Sequence, residues 1–141
     1  VKVETWNLLE DLFQRFPILR AEPVPGTEVH EASAELGLVF PDDYSQFVER
    51  FGAAMVGAYP IFGLRPVDPM GTFWSVVQVN KHFRSQSWPG VADWLIISMD
   101  QGGNPLGIDN SGKVLCSDHG DVISIAENFE DFLRVHCLAQ V

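Results

Sequence analysis

The apolar positions of this chain follow two periods. Tyr44, Phe47, Val48 and Phe51 recur at i, i+3, i+4 and i+7 among polar residues, the spacing of one buried helix face. Pro41 suits a first helical position, Asp42 and Asp43 suit the positive end of the helix dipole, and Gly52 closes the segment. The same period predicts a helix from Trp6 to about Phe16, with Thr5 as its cap and Trp6, Leu9, Phe13 and Phe16 on one stripe. A second helix starts at Thr27, turns Val29, Ala32 and Leu36 inward and stops at Gly37. Met70 to about Ser85 reads as helical, with Phe73, Val76, Val77 and Phe83 inward. Asn128 caps a last helix that carries Phe129, Phe132, Leu133 and Cys137 on one face.

Between Trp94 and Asp118 the period changes. Leu95, Ile96 and Ile97 form a short apolar run, as in a strand buried on both faces. Asp100-Gln-Gly-Gly-Asn104 is a turn, Pro105 to Asp109 a second strand, Asn110-Ser-Gly112 a turn, and Lys113 to Ser117 a third strand. Val122 to Ile125 extends the series, and Ala53 to Pro66 supplies one or two short strands. Helices, then strands, then a closing helix predict an α+β fold: a central, mostly antiparallel sheet, a meander, packed against helices. Three prolines between residues 17 and 26 mark a connector, so residues 1–26 read as an N-terminal helix and linker ahead of a main domain, 27–141.

Composition narrows the function. At 141 residues, 46% hydrophobic and 20% charged, the chain is long enough for a core of its own. No apolar run approaches the roughly 18 residues that cross a bilayer, and the N-terminus lacks the apolar core of a signal peptide, so a cytoplasmic protein is expected. Nineteen acids against nine bases give a net charge of −10, a field unsuited to nucleic acid or anionic membrane and suited to a basic protein. Between residues 93 and 131 there are eight acids against one base, Lys113. Cys116 and Cys137 form no Cys-x-x-Cys pair and are expected as buried free thiols.

Motifs for chemistry are sparse. Asp118-His119-Gly120-Asp121 sets two carboxylates beside an imidazole, which could hold a metal or position a general base, but the favoured reading is a turn between two strands with the aspartates serving their own backbone. Asp100 to Asn110 fails the EF-hand pattern, with Gly102 third, Pro105 sixth and no glutamate twelfth. Gly102-Gly-Asn-Pro-Leu-Gly lacks the Gly-Lys-Ser/Thr ending of a phosphate loop, and no Gly-x-Ser-x-Gly elbow occurs. The expectation is a binding domain rather than an enzyme, with no cofactor and no metal.

Five pieces, in order, resemble a known family. They are Leu36-Gly-Leu-Val-Phe-Pro-Asp-Asp-Tyr-Ser-Gln-Phe47 ending at Phe51-Gly52; Gly57-Ala-Tyr-Pro-Ile-Phe-Gly-Leu64; Asp100-Gln-Gly-Gly-Asn104 with Ile108-Asp109; Ser117-Asp-His119; and Ile125-Ala-Glu-Asn-Phe-Glu-Asp-Phe-Leu133. Over roughly residues 28 to 138 the chain resembles the SUKH superfamily, the SMI/KNR type of domain. The resemblance implies an α+β fold without established catalytic residues. It implies a protein partner: a toxin for bacterial immunity members, many of whose toxins are nucleases, or cellular partners for the fungal regulatory scaffolds. Joined to the charge, it implies an immunity protein whose acidic face occludes the active site of a basic cognate toxin. Trp88, Asp100, Asp109, Asp118, Asp121, Glu127 and Glu130 are the candidate contact residues. A regulatory scaffold, or a metal-dependent hydrolase using Asp118, His119 and Asp121, is the alternative.

Overall fold

The computed structural model describes residues 1–140. Helix α1, Val3–Arg15, is followed by a 3₁₀ turn, Pro17–Leu19, and a proline-bearing connector. Helices α2, Gly26–Leu36, and α3, Asp42–Phe51, come next, then a small antiparallel hairpin, β1, Ala54–Val56, and β2, Tyr59–Ile61. Helix α4, Val76–Ser85, leads into β3, Leu95–Met99, β4, Pro105–Ile108, β5, Val114–Asp118, and β6, Asp121–Ala126. Helix α5, Phe129–Asp131, continues as one π turn, Phe132–Cys137, and a 3₁₀ turn, Leu138–Gln140. The four long strands are a meander in the order β3-β4-β5-β6, antiparallel throughout, and the fold is α+β.

The helix period places the α3 core as expected, whereas Phe16, expected on the inward stripe of the first helix, lies just past the end of α1 and is 49% exposed. Tyr44, Phe47, Val48 and Phe51 are all fully buried. Phe129 meets Tyr44 and Phe47 edge-on at 5.3 and 5.6 Å, and Phe51 meets Phe13 at 4.8 Å, so one aromatic cluster joins α1, α3 and α5. Leu95, Ile96 and Ile97 are buried on both faces, as their unbroken apolar run predicts. Gly63 lies so close to the α3 end that a Cβ there would sit 1.8 Å from the Gly52 carbonyl oxygen, so no larger residue fits.

Several element starts differ from the sequence reading. Helix α1 begins at Val3, and Thr5 lies buried within it instead of capping it. Its hydroxyl donates to Glu130 at 2.8 Å, a partner 125 residues away. Pro41 stands as the residue before α3 and not in its first turn. The helix expected from Met70 begins at Val76. Two features set that start: Ser75 Oγ accepts from the Gln78 N–H, and the Gly63 carbonyl takes the Val76 N–H while the Gly63 N–H donates to Trp74. A 3₁₀ turn, Asp68–Met70, fills part of the intervening stretch.

Candidate partner-binding site

The meander sorts the candidate residues by strand direction. Asp100 follows β3, while Asp118 and Asp121 flank the β5–β6 turn, so these three share one end of the sheet. Asp109 follows β4 and Glu127 follows β6, at the opposite end. Glu130 lies on α5. The seven residues do not form one continuous patch.

Three of the carboxylates are occupied by the fold itself. Asp100 accepts from the backbone N–H groups of Gly102 and Asn104 at 2.9 Å and from the Asn104 side chain at 3.0 Å. Asp109 accepts from Ser111 N–H and Oγ and from Lys113 N–H at 2.7–3.1 Å. Glu130 accepts from Lys2 N–H at 2.7 Å and from Thr5, and its own N–H donates to Asp43. In each case partial burial alone would raise the pKa, and the donated hydrogen bonds outweigh it, holding the carboxyl below its ordinary value.

The other acids are differently placed. Asp121 and Glu127 are exposed and have no ion-pair or hydrogen-bond partner among the described residues. Asp118 is exposed, and its carboxylate lies 3.1 Å from His119 Nδ1. His119 and Gly120 both take positive φ, 54° and 104°, which makes the two-residue turn that joins β5 to β6. Asp118 and Asp121 are therefore cross-strand neighbours across a turn, as expected for this segment. Their carboxylates do not serve the turn's backbone, however, because Ser117 Oγ takes the Gly120 N–H instead. Among the described residues, no group of three or more His, Cys, Asp or Glu side chains is placed to hold a metal ion.

Trp88 joins this end of the molecule. It is half-buried, its indole N–H donates to the Ser117 carbonyl at 3.2 Å, and its ring meets Phe83 edge-on at 5.5 Å. Its other side lies 4.9 Å from the His119 ring. Trp88, Asp118, His119 and Asp121 thus form one corner. Trp94, by contrast, is a core residue.

A family model described as the SMI1 / KNR4 family (SUKH-1) matches residues 23–135. The chain belongs to the SMI1/KNR4 family. None of the curated proteins compared with the chain matches it. The SUKH-1 match starts within the connector and covers both sheets and most of the last helix, and α1 lies outside it while sharing its core.

Two surface features of this SUKH-1 domain escaped the sequence reading. A cleft of about 500 Å³ runs between the α2–α3 loop and the β4–β5 turn, lined by Val39, Asp93 and Asp109 among others, and Val39 is 87% exposed. Val122 and Ile123 in β6 are about half exposed. An apolar residue carries no mark of exposure, since periodicity reports which residues share a face and not whether that face is covered. Cys116 and Cys137 are free and buried. Among the described residues no helix is long and apolar enough to cross a membrane.

Proposed function

We propose that this SMI1/KNR4 domain is an immunity protein that binds a basic toxin and covers its substrate groove. One observation carries the reading. Five of the nine bases pair with acids carried on helices, in the pairs Arg15–Asp11, Arg50–Glu10, Arg65–Glu28, Lys81–Glu35 and Arg134–Asp131. Asp118, Asp121 and Glu127 have no lysine or arginine partner among the described residues, and residues 93–131, which form the four-stranded sheet and the start of the last helix, carry eight acids against one base, Lys113. Trp88 packs on His119, in the turn between two of these acids, and a Trp within a charged surround suits an interface anchor.

Inhibition works by occlusion and uses no chemistry of the chain's own. A nuclease-type toxin must hold a polyanion in a cationic groove, and an acidic surface competes for that groove directly. The contact set narrows to Trp88, Asp118, Asp121 and Glu127. Asp100, Asp109 and Glu130 act mainly by holding turns and helices in place. Localisation with such a toxin, inside the producing cell, follows from this role.

The test is co-expression with the product of the adjacent gene, followed by cell viability and pull-down. Rescue together with a stable complex is the expected result. Absence of both would remove the immunity role and favour the family's scaffold role.

A further inference from the structure

The two edges of the four-stranded sheet are treated differently. At the β3 edge, the Ile96 N–H donates to Asn80 Oδ1 at 2.8 Å and the Ile96 carbonyl accepts from Asn80 Nδ2 at 2.9 Å. The Ile97 carbonyl accepts from the Phe62 N–H at 2.9 Å. That edge is closed. At the β6 edge, the two-residue turn makes Asp118 and Asp121 the first hydrogen-bonded pair of the hairpin. Alternation then turns the N–H and C=O groups of Val122 and Ser124 away from β5. Among the described residues neither has a hydrogen bond outside the hairpin. Only further along does His136 approach the Ile125 carbonyl, at 3.0 Å, and close the end of the edge.

The open part has the composition of a pairing strand. Asp121 to Ser124 are all exposed, Val122 by 49% and Ile123 by 51%. Natural edges are blunted by lysine, proline or a bulge, and Asp121-Val-Ile-Ser124 has no lysine or proline. The one register irregularity leaves Ile125 of β6 unpaired, between the Leu115–Ser124 and Val114–Ala126 pairs, so the bulge sits just past Ser124 and bounds the open stretch without interrupting Val122–Ser124. One face of the edge is walled: a Cβ at Gly90 would lie 3.2 Å from Val122 Cγ2, so the segment after Trp88 packs beside that side chain.

Charge selects the occupant. Two copies paired antiparallel about Ser124 would set Asp121 of one opposite Glu127 of the other, at both ends, with a net charge of −10 on each chain. A strand with cationic ends reverses the sign of both contacts. We infer that β6 is a docking strand: an extended partner segment, β-branched in its middle and lysine- or arginine-bearing at its ends, adds to the sheet along Val122–Ser124. This deepens the basic-partner reading above and rests on it for the sign of the partner's charge.

The test uses the full chain, isotope-labelled, and a synthetic capped peptide, Lys-Val-Val-Thr-Val-Thr-Lys. At saturating peptide, exchange of the Val122 and Ser124 amides should slow by about tenfold or more. The Asp121 and Ile123 amides, already bonded to β5, should change much less. A peptide with glutamate at both ends should give no protection. Ser124→Pro removes the outward N–H and should abolish protection. Ser124→Lys leaves the backbone intact and should weaken binding through charge, which keeps the test open if the proline variant does not fold. Three results would overturn the inference: no protection of Val122 and Ser124 by the lysine-ended peptide, equal protection by the glutamate-ended one, or protection without peptide that grows with protein concentration. The last would make a second copy the occupant. Because the probe is no toxin, this outcome is independent of whether the adjacent gene's product is neutralised.

Discussion

Asn80 satisfies both backbone groups of Ile96: its side-chain oxygen takes the Ile96 N–H at 2.8 Å, and its amide donates to the Ile96 carbonyl at 2.9 Å. One buried side chain thus does for the edge of β3 what a neighbouring strand would do, and it fixes α4 to the sheet. Asn80 is 1% exposed, and its amide also reaches the Val76 carbonyl at 2.7 Å. Removing it leaves a buried donor and acceptor unpaired. Asn80→Ala should therefore destabilise the fold by about 2–4 kcal/mol, read as a lower denaturant midpoint at unchanged slope. A change below about 0.5 kcal/mol would mean that water replaces the side chain without loss.

Phe47 and Phe132 are both fully exchanged from water into the core, at 0% exposure. Truncating either to alanine should cost about 3–5 kcal/mol. The two should combine less than additively in a double variant, because Phe129 packs against Phe47 and is carried on the same helical segment as Phe132. Chemical denaturation of the two single variants and the double variant checks this.

Acid should weaken the fold through three carboxylates. Asp100, Asp109 and Glu130 are held below their ordinary pKa in the folded chain, whereas the unfolded chain restores values near about 4. Their stabilisation is complete above the unfolded values and is lost as pH falls through the folded ones, below about 4. The urea midpoint should thus hold steady from neutral pH to about 5 and fall toward pH 3. Asp109→Asn keeps one acceptor for the turn and should flatten that fall.

Both thiols should be silent in the native protein. Burial, reinforced by the nearby Asp100 carboxylate, pushes Cys116 up to about 11, and burial pushes Cys137 up as well. At neutral pH neither should react with a thiol reagent until the chain unfolds, and chelator or reductant should leave the melting temperature unchanged. Rapid native labelling of either cysteine would contradict their burial.

The fold was legible where local chemistry and tertiary packing agree. Tyr44, Phe47 and Phe51 announce α3 by spacing alone, and Asn128 caps α5 as its side chain suggests, accepting from the Asp131 N–H. It was less legible where a distant group intervenes. Thr5 has the chemistry of a cap, but Glu130 reaches it from the other end of the chain. Val76 starts α4 because Ser75 caps it, a local signal, and because Gly63 takes the Val76 N–H, which no pattern near residue 76 reports. The candidate site divides the same way. Seven residues could be named from charge and aromaticity, but which carboxylates are spent on turns depends on hydrogen bonds such as those of Asp100 and Asp109. The open edge of β6 was hidden because an exposed Val-Ile pair reads in sequence like a buried one.

Association with a basic partner should be fast and salt-sensitive. Complementary fields raise association rates toward roughly 10⁸ M⁻¹s⁻¹ at low salt, and a Debye length of about 8 Å at physiological ionic strength shortens their reach. Asp121→Asn and Glu127→Gln should lower the association rate and flatten its salt dependence, while Trp88→Ala should mainly raise the dissociation rate. Stopped-flow binding across a salt series separates the two effects.

The most direct measurement is the activity of the purified adjacent-gene toxin titrated with this protein. Occlusion requires activity to fall linearly and vanish at one-to-one stoichiometry, with the Asp118→Asn, Asp121→Asn, Glu127→Gln triple variant inhibiting more weakly while unfolding at a nearly unchanged denaturant midpoint. Undiminished toxin activity at a molar excess of the wild-type chain, or full inhibition by the triple variant at every salt concentration, would contradict it.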